Sequence, residues 1–155
     1  MPIEQEVAQL LLNSKKTLSI AESCTGGLLS HRLTGIPGSS NYLKLALIVY
    51  SNDSKVKLLK VPLKTLRRYG TVSSEVAIAM AKNVRAILNA DLGISITGIA
   101  GPAGATSLKP VGLTYIAMAA SKKILCIKYR FQGSRKQIKL QAATQALKLL
   151  KEFLT

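Results

Sequence analysis

Residues 17–29, TLSIAESCTGGLL, predict a short strand that turns directly into a helix. The strand covers 17–21, where the mostly apolar run is typical of a buried strand. The turn covers 22–27 and ends in two glycines, after which a helix is predicted over 27–34. A strand that turns into a helix in this way favours an α/β fold.

The rest of the chain alternates between helical and extended patterns. Helices are predicted over 3–14, 52–60, 62–69 and 134–153, and a further helix begins at 73 or 74. Strands are predicted over 43–50, 92–97, 111–119 and 123–131. Only Ser121-Lys122 and its flanks separate the last two strands, which predicts a hairpin. Helices alternating with strands, followed by a late hairpin, favour a three-layer α/β domain with a mixed sheet.

Length and composition indicate one domain over 1–155, because 155 residues with 48% hydrophobic content can form a sizeable core. No apolar run approaches the roughly 18 residues that a membrane span needs. The first residues, MPIEQE, are acidic, whereas a secretory signal begins with positive charge. We therefore expect a cytoplasmic protein with no membrane partner.

Cysteine and histidine are scarce, which excludes several kinds of site. The chain has two cysteines, Cys24 and Cys126, and one histidine, His31. These are too few for a disulfide framework or an ordinary structural zinc site. His31 lies in a predicted helix without an acidic neighbour in sequence, so we do not expect a Ser-His-Asp triad. We expect neither a metal nor a cofactor.

The charge is strongly positive: 22 basic and 7 acidic residues give a net charge of +15. Such an excess favours phosphorylated or polyanionic partners and speeds their encounter with the protein. Aromatic residues make up only 5% and do not interleave with the basic ones, as they do in many single-strand-binding surfaces. Nucleic acid is therefore a secondary expectation, which the charge keeps open.

Three predicted loops, 22–27, 50–55 and 97–110, follow strands, where functional groups collect in α/β folds. In the first loop, Ser23 and Thr25 stand beside the unpaired N–H groups of a helix start, which attract anions or a developing oxyanion. Either hydroxyl could serve as a nucleophile. The alternative is that they are helix caps.

In the second loop, a predicted strand ends at Tyr50 and a helix follows it. Lys55 lies about one turn into that helix. A lysine acts as a general base only when burial or nearby cations lower its pKa, and it then replaces histidine in a Ser–Lys arrangement. The alternative is that Lys55, like Lys57 and Lys60, is a solvated helix residue.

The third loop begins TGIAGPAG, residues 97–104, directly after an apolar strand. Its three glycines would let the backbone approach a ligand closely, as in phosphate-binding loops. It matches neither the Walker motif nor the dinucleotide-binding fingerprint. The alternative is an ordinary strand-exit loop.

Six segments together resemble the CinA C-terminal domain family in order and spacing. They are AESCTGGLL (21–29), PGSS (37–40), YSN with Lys55 (50–55), GTVS (70–73), TGIAGP (97–102) and KPVG (109–112). The resemblance spans nearly the whole chain and is to the stand-alone, PncC-type form. It implies a three-layer α/β/α sandwich with a mixed central sheet, a homo-oligomer, and a metal-independent amidohydrolase that converts nicotinamide mononucleotide to nicotinate mononucleotide and ammonia.

The resemblance also implies roles for individual residues. The catalytic residues would be Ser23, Ser40, Tyr50 and Lys55, with Ser23 as the nucleophile and Ser40 and Cys24 as its rivals. The substrate-binding residues would be Thr25, Gly26, Thr97, Gly98, Gly101 and Arg135, with Arg135 at the phosphate. Ser23 would attack the amide carbon while Lys55 and Tyr50 move protons and backbone N–H groups hold the oxyanion.

The chain departs from the family pattern at three places. Leu45-Ala46 stand where the family usually has a glycine pair, Leu108 where an acidic residue is common, and Ser134 where an aspartate usually precedes Arg135. The first change would narrow the pocket, and the last would free or displace Arg135.

Two other functions stay open at this point. One is a non-catalytic basic module that binds nucleic acid or a protein partner, and the other is a hydrolase of the same fold that acts on another amide. The presence of Tyr50, Lys55 and the serines favours the amidase, because a binding module would need none of them.

Overall fold

The computed structural model describes residues 1–155 and contains six α-helices and five strands. The helices are α1 (Ile3–Ser14), α2 (Leu28–Thr34), α3 (Asn52–Leu59), α4 (Leu63–Tyr69), α5 (Ser74–Ile87) and α6 (Arg135–Leu154), and a short 3-10 helix covers Ser39–Asn41. The strands are β1 (Leu18–Glu22), β2 (Leu43–Ile48), β3 (Leu92–Gly98), β4 (Leu113–Ala119) and β5 (Ile124–Arg130). No helix combines the length and the apolar character that crossing a bilayer requires.

The sheet has the strand order β2-β1-β3-β4-β5 and is mixed. β1 pairs in parallel with both β2 and β3, whereas β3, β4 and β5 pair antiparallel. The last two strands form the predicted hairpin. The predicted mixed sheet is therefore confirmed, and its parallel half is the part that collects strand ends at one edge.

Helices cover both faces of the sheet, which gives the three layers. On one face, Leu18 and Ile20 of β1 pack in the main core with residues of α1, α2 and α6. On the other, Ala21 packs with residues of α4 and α5, including Leu66 and Met80. Because neighbouring strand residues point to opposite faces, β1 is buried on both sides, as its apolar run predicts.

The helix α5 shows how local sequence signals set an element. Ser73 caps it, because its Oγ accepts a hydrogen bond from the amide of Val76 at 3.3 Å. Val76, Met80 and Val84, at the i, i+4, i+8 spacing of one helix face, form its buried stripe. Ile87, which continues the same face, is the last residue of the helix and is 46% exposed.

All predicted bounds lie within two residues of the observed ones. The predicted strand 43–50 ends early, at Ile48, because its partner β1 ends at Glu22, the residue that pairs with Ile48. Beyond this point the carbonyls of Val49 and Tyr50 accept hydrogen bonds from Lys55. The register pairs Glu22 with both Ile48 and Ile96. The carboxyl ends of β1, β2 and β3 therefore lie side by side at one edge of the sheet.

Candidate active site

Lys55 is buried at the edge of the sheet where β1, β2 and β3 end, although it lies on the short helix α3, whose first residues are polar. Ser51 caps α3 by accepting a hydrogen bond from the amide of Ser54 at 3.0 Å, which places Lys55 one turn into the helix. Lys55 is only 1% exposed, whereas Lys57 and Lys60 are exposed. The structure thus excludes the alternative that Lys55 is a solvated helix residue.

The amino group of Lys55 has three oxygen neighbours and no carboxylate. Nζ lies 2.9 Å from Ser23 Oγ, 2.7 Å from the carbonyl of Val49 and 3.2 Å from that of Tyr50. An ammonium group donates to all three, whereas a neutral amine donates to the two carbonyls and accepts the hydroxyl proton of Ser23. The site therefore suits both protonation states without rearrangement.

Burial lowers the pKa of Lys55 to about 8. The cationic neighbours that we expected to add to this shift do not contribute, and the nearby Cys24 acts slightly in the opposite direction. With a pKa of about 8, roughly a tenth of the molecules hold a neutral Lys55 at pH 7. Lys55 can therefore act as a general base near neutral pH.

Ser23 is held in place by the buried carboxylate of Glu22, a role that sequence analysis missed. Glu22 is fully buried and accepts five hydrogen bonds at 2.6–3.2 Å from the turn and the first residues of α2. The donors are the hydroxyls of Thr25 and Ser30 and the amides of Gly27, Leu29 and Ser30. Three of them are N–H groups that can only donate, and together they reach both carboxyl oxygens of Glu22.

We expect Glu22→Gln to lower the free energy of unfolding by about 3 kcal/mol, because either orientation of the amide puts its NH₂ against a backbone N–H donor. Chemical denaturation measures this change. Glu152→Gln is the matched control, since Glu152 is exposed on α6. A Glu22→Gln protein as stable as the wild type would contradict the fixing role of this carboxylate.

The turn also offers unpaired amides next to Ser23. The N–H of Ser23 itself pairs with the carbonyl of Ile96, and that of Gly26 with the carbonyl of Ser23. The amides of Cys24 and Thr25, between them, donate to no backbone carbonyl. They are candidate donors for an oxyanion formed when Ser23 attacks a carbonyl carbon.

Ser23 and Lys55 open onto a cavity of about 400 Å³. Its lining combines the turn at Ser23, the residues around Tyr50, the segment 70–72 and the loop 97–106. Gly101 has φ +78°, and a Cβ there would lie 2.5 Å from Val111, so a side chain is excluded on both counts. The amides of Ala100 and Gly101 pair with no backbone carbonyl and are available to a ligand.

A buried Ser–Lys pair at the end of parallel strands, beside a glycine-rich loop, is the arrangement that the motifs imply. The model of the CinA C-terminal domain matches residues 1–154. The chain belongs to the CinA C-terminal domain family.

Individual relatives agree with this assignment. A CinA-like protein of Endomicrobium trichonymphae is 49% identical over 94% of this chain and 34% of its own length. The chain spans about a third of the length of the curated relatives that it matches. Among solved structures, a CinA superfamily protein from Klebsiella pneumoniae has a TM-score of 0.95 at 29% identity, covering 98% of this chain and 95% of that one. A competence/damage inducible protein from Agrobacterium tumefaciens has a TM-score of 0.93 at 34% identity, covering 100% and 98%.

Most of the residues that the CinA resemblance singles out lie at one cavity. This cavity is lined by Ser23, Tyr50, Lys55, Thr97, Gly98, Gly101 and Arg135. The hydroxyl of Thr97 donates to the carbonyl of Thr71 at 2.9 Å, so it fixes the segment 70–72. Arg135 lacks the aspartate that usually precedes it in the family, but its guanidinium group is still held in place. It donates hydrogen bonds to the carbonyl of Gly101 at 2.7 Å and to the hydroxyl of Tyr50 at 2.8 Å.

The side chain of Tyr50 differs from expectation. It is 58% exposed, and its hydroxyl accepts a hydrogen bond from Arg135 rather than contacting Lys55. The contact with Lys55 is made by the carbonyl of Tyr50. In this CinA domain Tyr50 therefore acts on Lys55 through its backbone, and its ring belongs to the rim of the cavity.

Ser40 does not lie at this cavity, which corrects its expected place in the site. It is exposed in the 3-10 helix before β2. Leu43 pairs with Leu18, so this end of β2 lies at the edge of the sheet opposite to Ser23. Leu45 and Ala46, which stand where the family usually has a glycine pair, lie within β2 and do not line the cavity either.

Cys24 lines the cavity but is poorly suited to attack. Burial raises the pKa of its thiol to about 12, so the thiolate is scarce at neutral pH. Its neighbour Thr25 is buried, and its hydroxyl donates to Glu22. Thr25 and Gly26 line a second cavity behind the turn and not the one at Ser23.

Thr71 is a cavity residue that sequence analysis did not single out. Its Oγ is buried and has no hydrogen-bond partner, and the residue lines the cavity at Ser23. A substrate amide could supply that partner. The only sequence signal for it is its place in the GTVS segment, because nothing else marks a threonine as unpaired.

Proposed function

We propose that this chain hydrolyses the carboxamide of nicotinamide mononucleotide to give nicotinate mononucleotide and ammonia. The observation that carries the proposal is the buried contact of 2.9 Å between Lys55 Nζ and Ser23 Oγ, where Lys55 has a lowered pKa. The chemistry comes from this pair, and the substrate comes from the family resemblance. A cytoplasmic location and a homo-oligomer remain predictions.

In the first half of the reaction, Ser23 Oγ attacks the amide carbon and Lys55 Nζ takes the hydroxyl proton. The amide oxygen becomes an oxyanion, which the N–H groups of Cys24 and Thr25 stabilise. Lys55 then gives its proton to the amide nitrogen, and ammonia leaves as an ester forms between Ser23 and the nicotinoyl carbon. The carbonyls of Val49 and Tyr50 hold the amino group in position throughout.

In the second half, water replaces ammonia as the partner of Lys55. Lys55 accepts a proton from this water, and the resulting hydroxide attacks the ester carbon. The bond to Ser23 Oγ breaks, and the proton on Lys55 returns to the serine. The products are the free enzyme and the carboxylic acid, which loses its proton to water or to the released ammonia and becomes the carboxylate. No step needs a metal or a cofactor.

Ammonia release by the purified chain tests the proposal. We expect release from nicotinamide mononucleotide, at an equal molar amount to nicotinate mononucleotide formed. Glutamine and asparagine serve as comparison carboxamides. Release from one of these but not from nicotinamide mononucleotide would favour a hydrolase of the same fold acting on another amide, and no release from any would contradict an amidase.

The rate of this reaction should depend on pH through Lys55. Only the neutral amine accepts the proton of Ser23, and burial places the pKa of Lys55 at about 8. We therefore expect kcat/KM to rise about tenfold per pH unit below 8 and to level off above it. Lys57→Arg, on the exposed side of α3, should give the same profile. A flat profile between pH 6.5 and 9 would show that the base is another group.

A further inference from the structure

The cavity at Ser23 has a cationic lining. Lys55, Lys109 and Arg135 line it, and no aspartate, glutamate or histidine does. None of these three cations belongs to an ion pair of the protein. Uncompensated positive charges around one concave surface attract anions. The cavity therefore favours a ligand group that carries a negative charge over a neutral group of the same shape.

Lys55 itself has no counter-ion. Its amino group contacts only neutral oxygens, the hydroxyl of Ser23 and the carbonyls of Val49 and Tyr50. The buried carboxylate of Glu22 does not compensate it, because its hydrogen bonds all come from the turn and the first residues of α2. The ammonium form of Lys55 is thus hydrogen-bonded but not neutralised, and a negative charge beside Ser23 would stabilise it.

Lys109 adds positive charge from the loop that follows β3. Its amino group donates to the carbonyl of Tyr69, where α4 ends. A side chain at Gly70 would crowd this amino group, because a Cβ there would lie 2.7 Å from Nζ. One hydrogen bond leaves two of the three N–H groups of Lys109 free. The charge of Lys109 is therefore available to the cavity in addition to that of Lys55.

Substrate and product of the proposed reaction differ only at the group beside Ser23. Both carry the same pyridinium ring, ribose and phosphate, so contacts to these parts act equally on both ligands. The pyridinium ring is itself a cation, which a cationic cavity disfavours. The carboxylate of the product offsets the charge of the ring and of Lys55, whereas the neutral carboxamide of the substrate does not.

We propose that the cavity at Ser23 binds the carboxylate product more tightly than the carboxamide substrate, through an ion pair between that carboxylate and Lys55, so that the product inhibits the enzyme. This inference rests on the proposed function. Val49 and Tyr50 occupy two N–H groups of the ammonium group, and the third, on the side of Ser23, faces the carboxylate. Turnover then slows as nicotinate mononucleotide accumulates, until a reaction that consumes this carboxylate removes it.

The preference for the product depends on the charge of Lys55 and therefore on pH. Burial lowers the pKa of Lys55 to about 8, so most molecules hold the ammonium group at pH 7. A bound carboxylate raises this pKa, so affinity for the product is highest below pH 8 and falls as the pH rises above it. The other titratable side chains at the cavity are Cys24, Tyr50, Lys109 and Arg135. Burial raises the pKa of the Cys24 thiol to about 12, so it stays neutral in this range.

Calorimetric binding to Ser23→Ala, which lacks the proposed nucleophile, tests the preference. At pH 7 we expect this protein to bind nicotinate mononucleotide roughly 10- to 100-fold more tightly than nicotinamide mononucleotide. The ratio should fall about tenfold between pH 7 and pH 9.5, as Lys55 loses its proton. In the wild type, nicotinate mononucleotide should inhibit competitively at pH 7, with a Ki below the KM of the substrate.

Two further proteins assign the preference to Lys55. Ser23→Ala with Lys55→Met should bind the two ligands about equally at both pH values, because the ammonium group is gone. Ser23→Ala with Lys64→Gln is the matched control, since Lys64 is exposed on α4, lies outside the cavity and loses the same charge. It should keep the full ratio. Melting temperatures show that each protein is folded.

Equal binding of the two ligands by Ser23→Ala at pH 7 would overturn the inference, and ammonia release by the wild type would then still support the proposed function. A ratio that is constant between pH 7 and pH 9.5, or that survives in the Lys55→Met protein, would also overturn it. A wild type that releases no ammonia but prefers the carboxylate ligand through Lys55 would contradict the proposed function and support the carboxylate site.

Discussion

Replacing Ser23 by alanine is expected to lower turnover of nicotinamide mononucleotide by roughly three or more orders of magnitude. The reason is that alanine removes the only hydroxyl that Lys55 Nζ contacts, at 2.9 Å, while the carbonyls of Val49 and Tyr50 still hold the amine. Loss of one small, 7% exposed side chain should leave the fold intact. Ammonia release at saturating substrate measures the effect, and the melting temperature checks the fold.

The two rival nucleophiles provide the controls. Ser40→Ala should change turnover little, because Ser40 is exposed at the opposite edge of the sheet. Cys24→Ala should also leave most activity, since burial raises the pKa of the thiol to about 12. If Cys24→Ala loses as much activity as Ser23→Ala, or Ser40→Ala alone is inactive, Ser23 is not the nucleophile.

The order of elements could be predicted from the sequence because its periodicity changes clearly from one segment to the next. The apolar run at 17–21 predicts a strand buried on both faces, and β1 is such a strand. The repeat of Val76, Met80 and Val84 predicts one buried face of α5. Which strands are neighbours did not follow from these patterns, because strand order depends on long-range packing.

The site was predictable only in part, because its residues are distant in sequence. Lys55 and Ser23 follow strands, which predicts their shared edge, but burial of Lys55 requires the carbonyls of Val49 and Tyr50 to turn toward it. Nothing in residues 50–55 predicts that turn. Ser40 was misplaced because it precedes its strand, whereas Ser23 and Lys55 follow theirs.

Glu22 was missed for a different reason. An acidic residue at a strand end suggests solvent or catalysis, and a fully buried carboxylate without a cationic partner is rare. Here the amides of Gly27, Leu29 and Ser30 take the place of that cation. The unpaired N–H groups of the helix start, which we expected to face a ligand, are thus largely satisfied within the protein, and only the amides nearest Ser23 remain for the oxyanion.

Lys55→Arg should lower turnover by roughly two or more orders of magnitude, because a guanidinium group keeps its proton and cannot accept that of Ser23. Lysine in the same place has a pKa of about 8 and gives up its proton near neutral pH. Since the position is 1% exposed, the larger arginine could disturb packing, so Lys55→Met is the second variant. It keeps the length of the side chain, removes the base, and should fold while being equally inactive.

Two lysines near Lys55 make the test specific. Lys57→Arg and Lys60→Arg keep the charge at exposed positions on and just after α3, and both should retain near-normal turnover. Melting temperatures of all four proteins separate loss of chemistry from loss of fold. The decisive comparison is between folded proteins: if Lys55→Arg or Lys55→Met folds and turns over substrate at close to the wild-type rate, the contact between Lys55 and Ser23 is structural. Lys109, the other lysine that lines the cavity, would then be the next candidate to accept the proton of Ser23, because no carboxylate or histidine lines it.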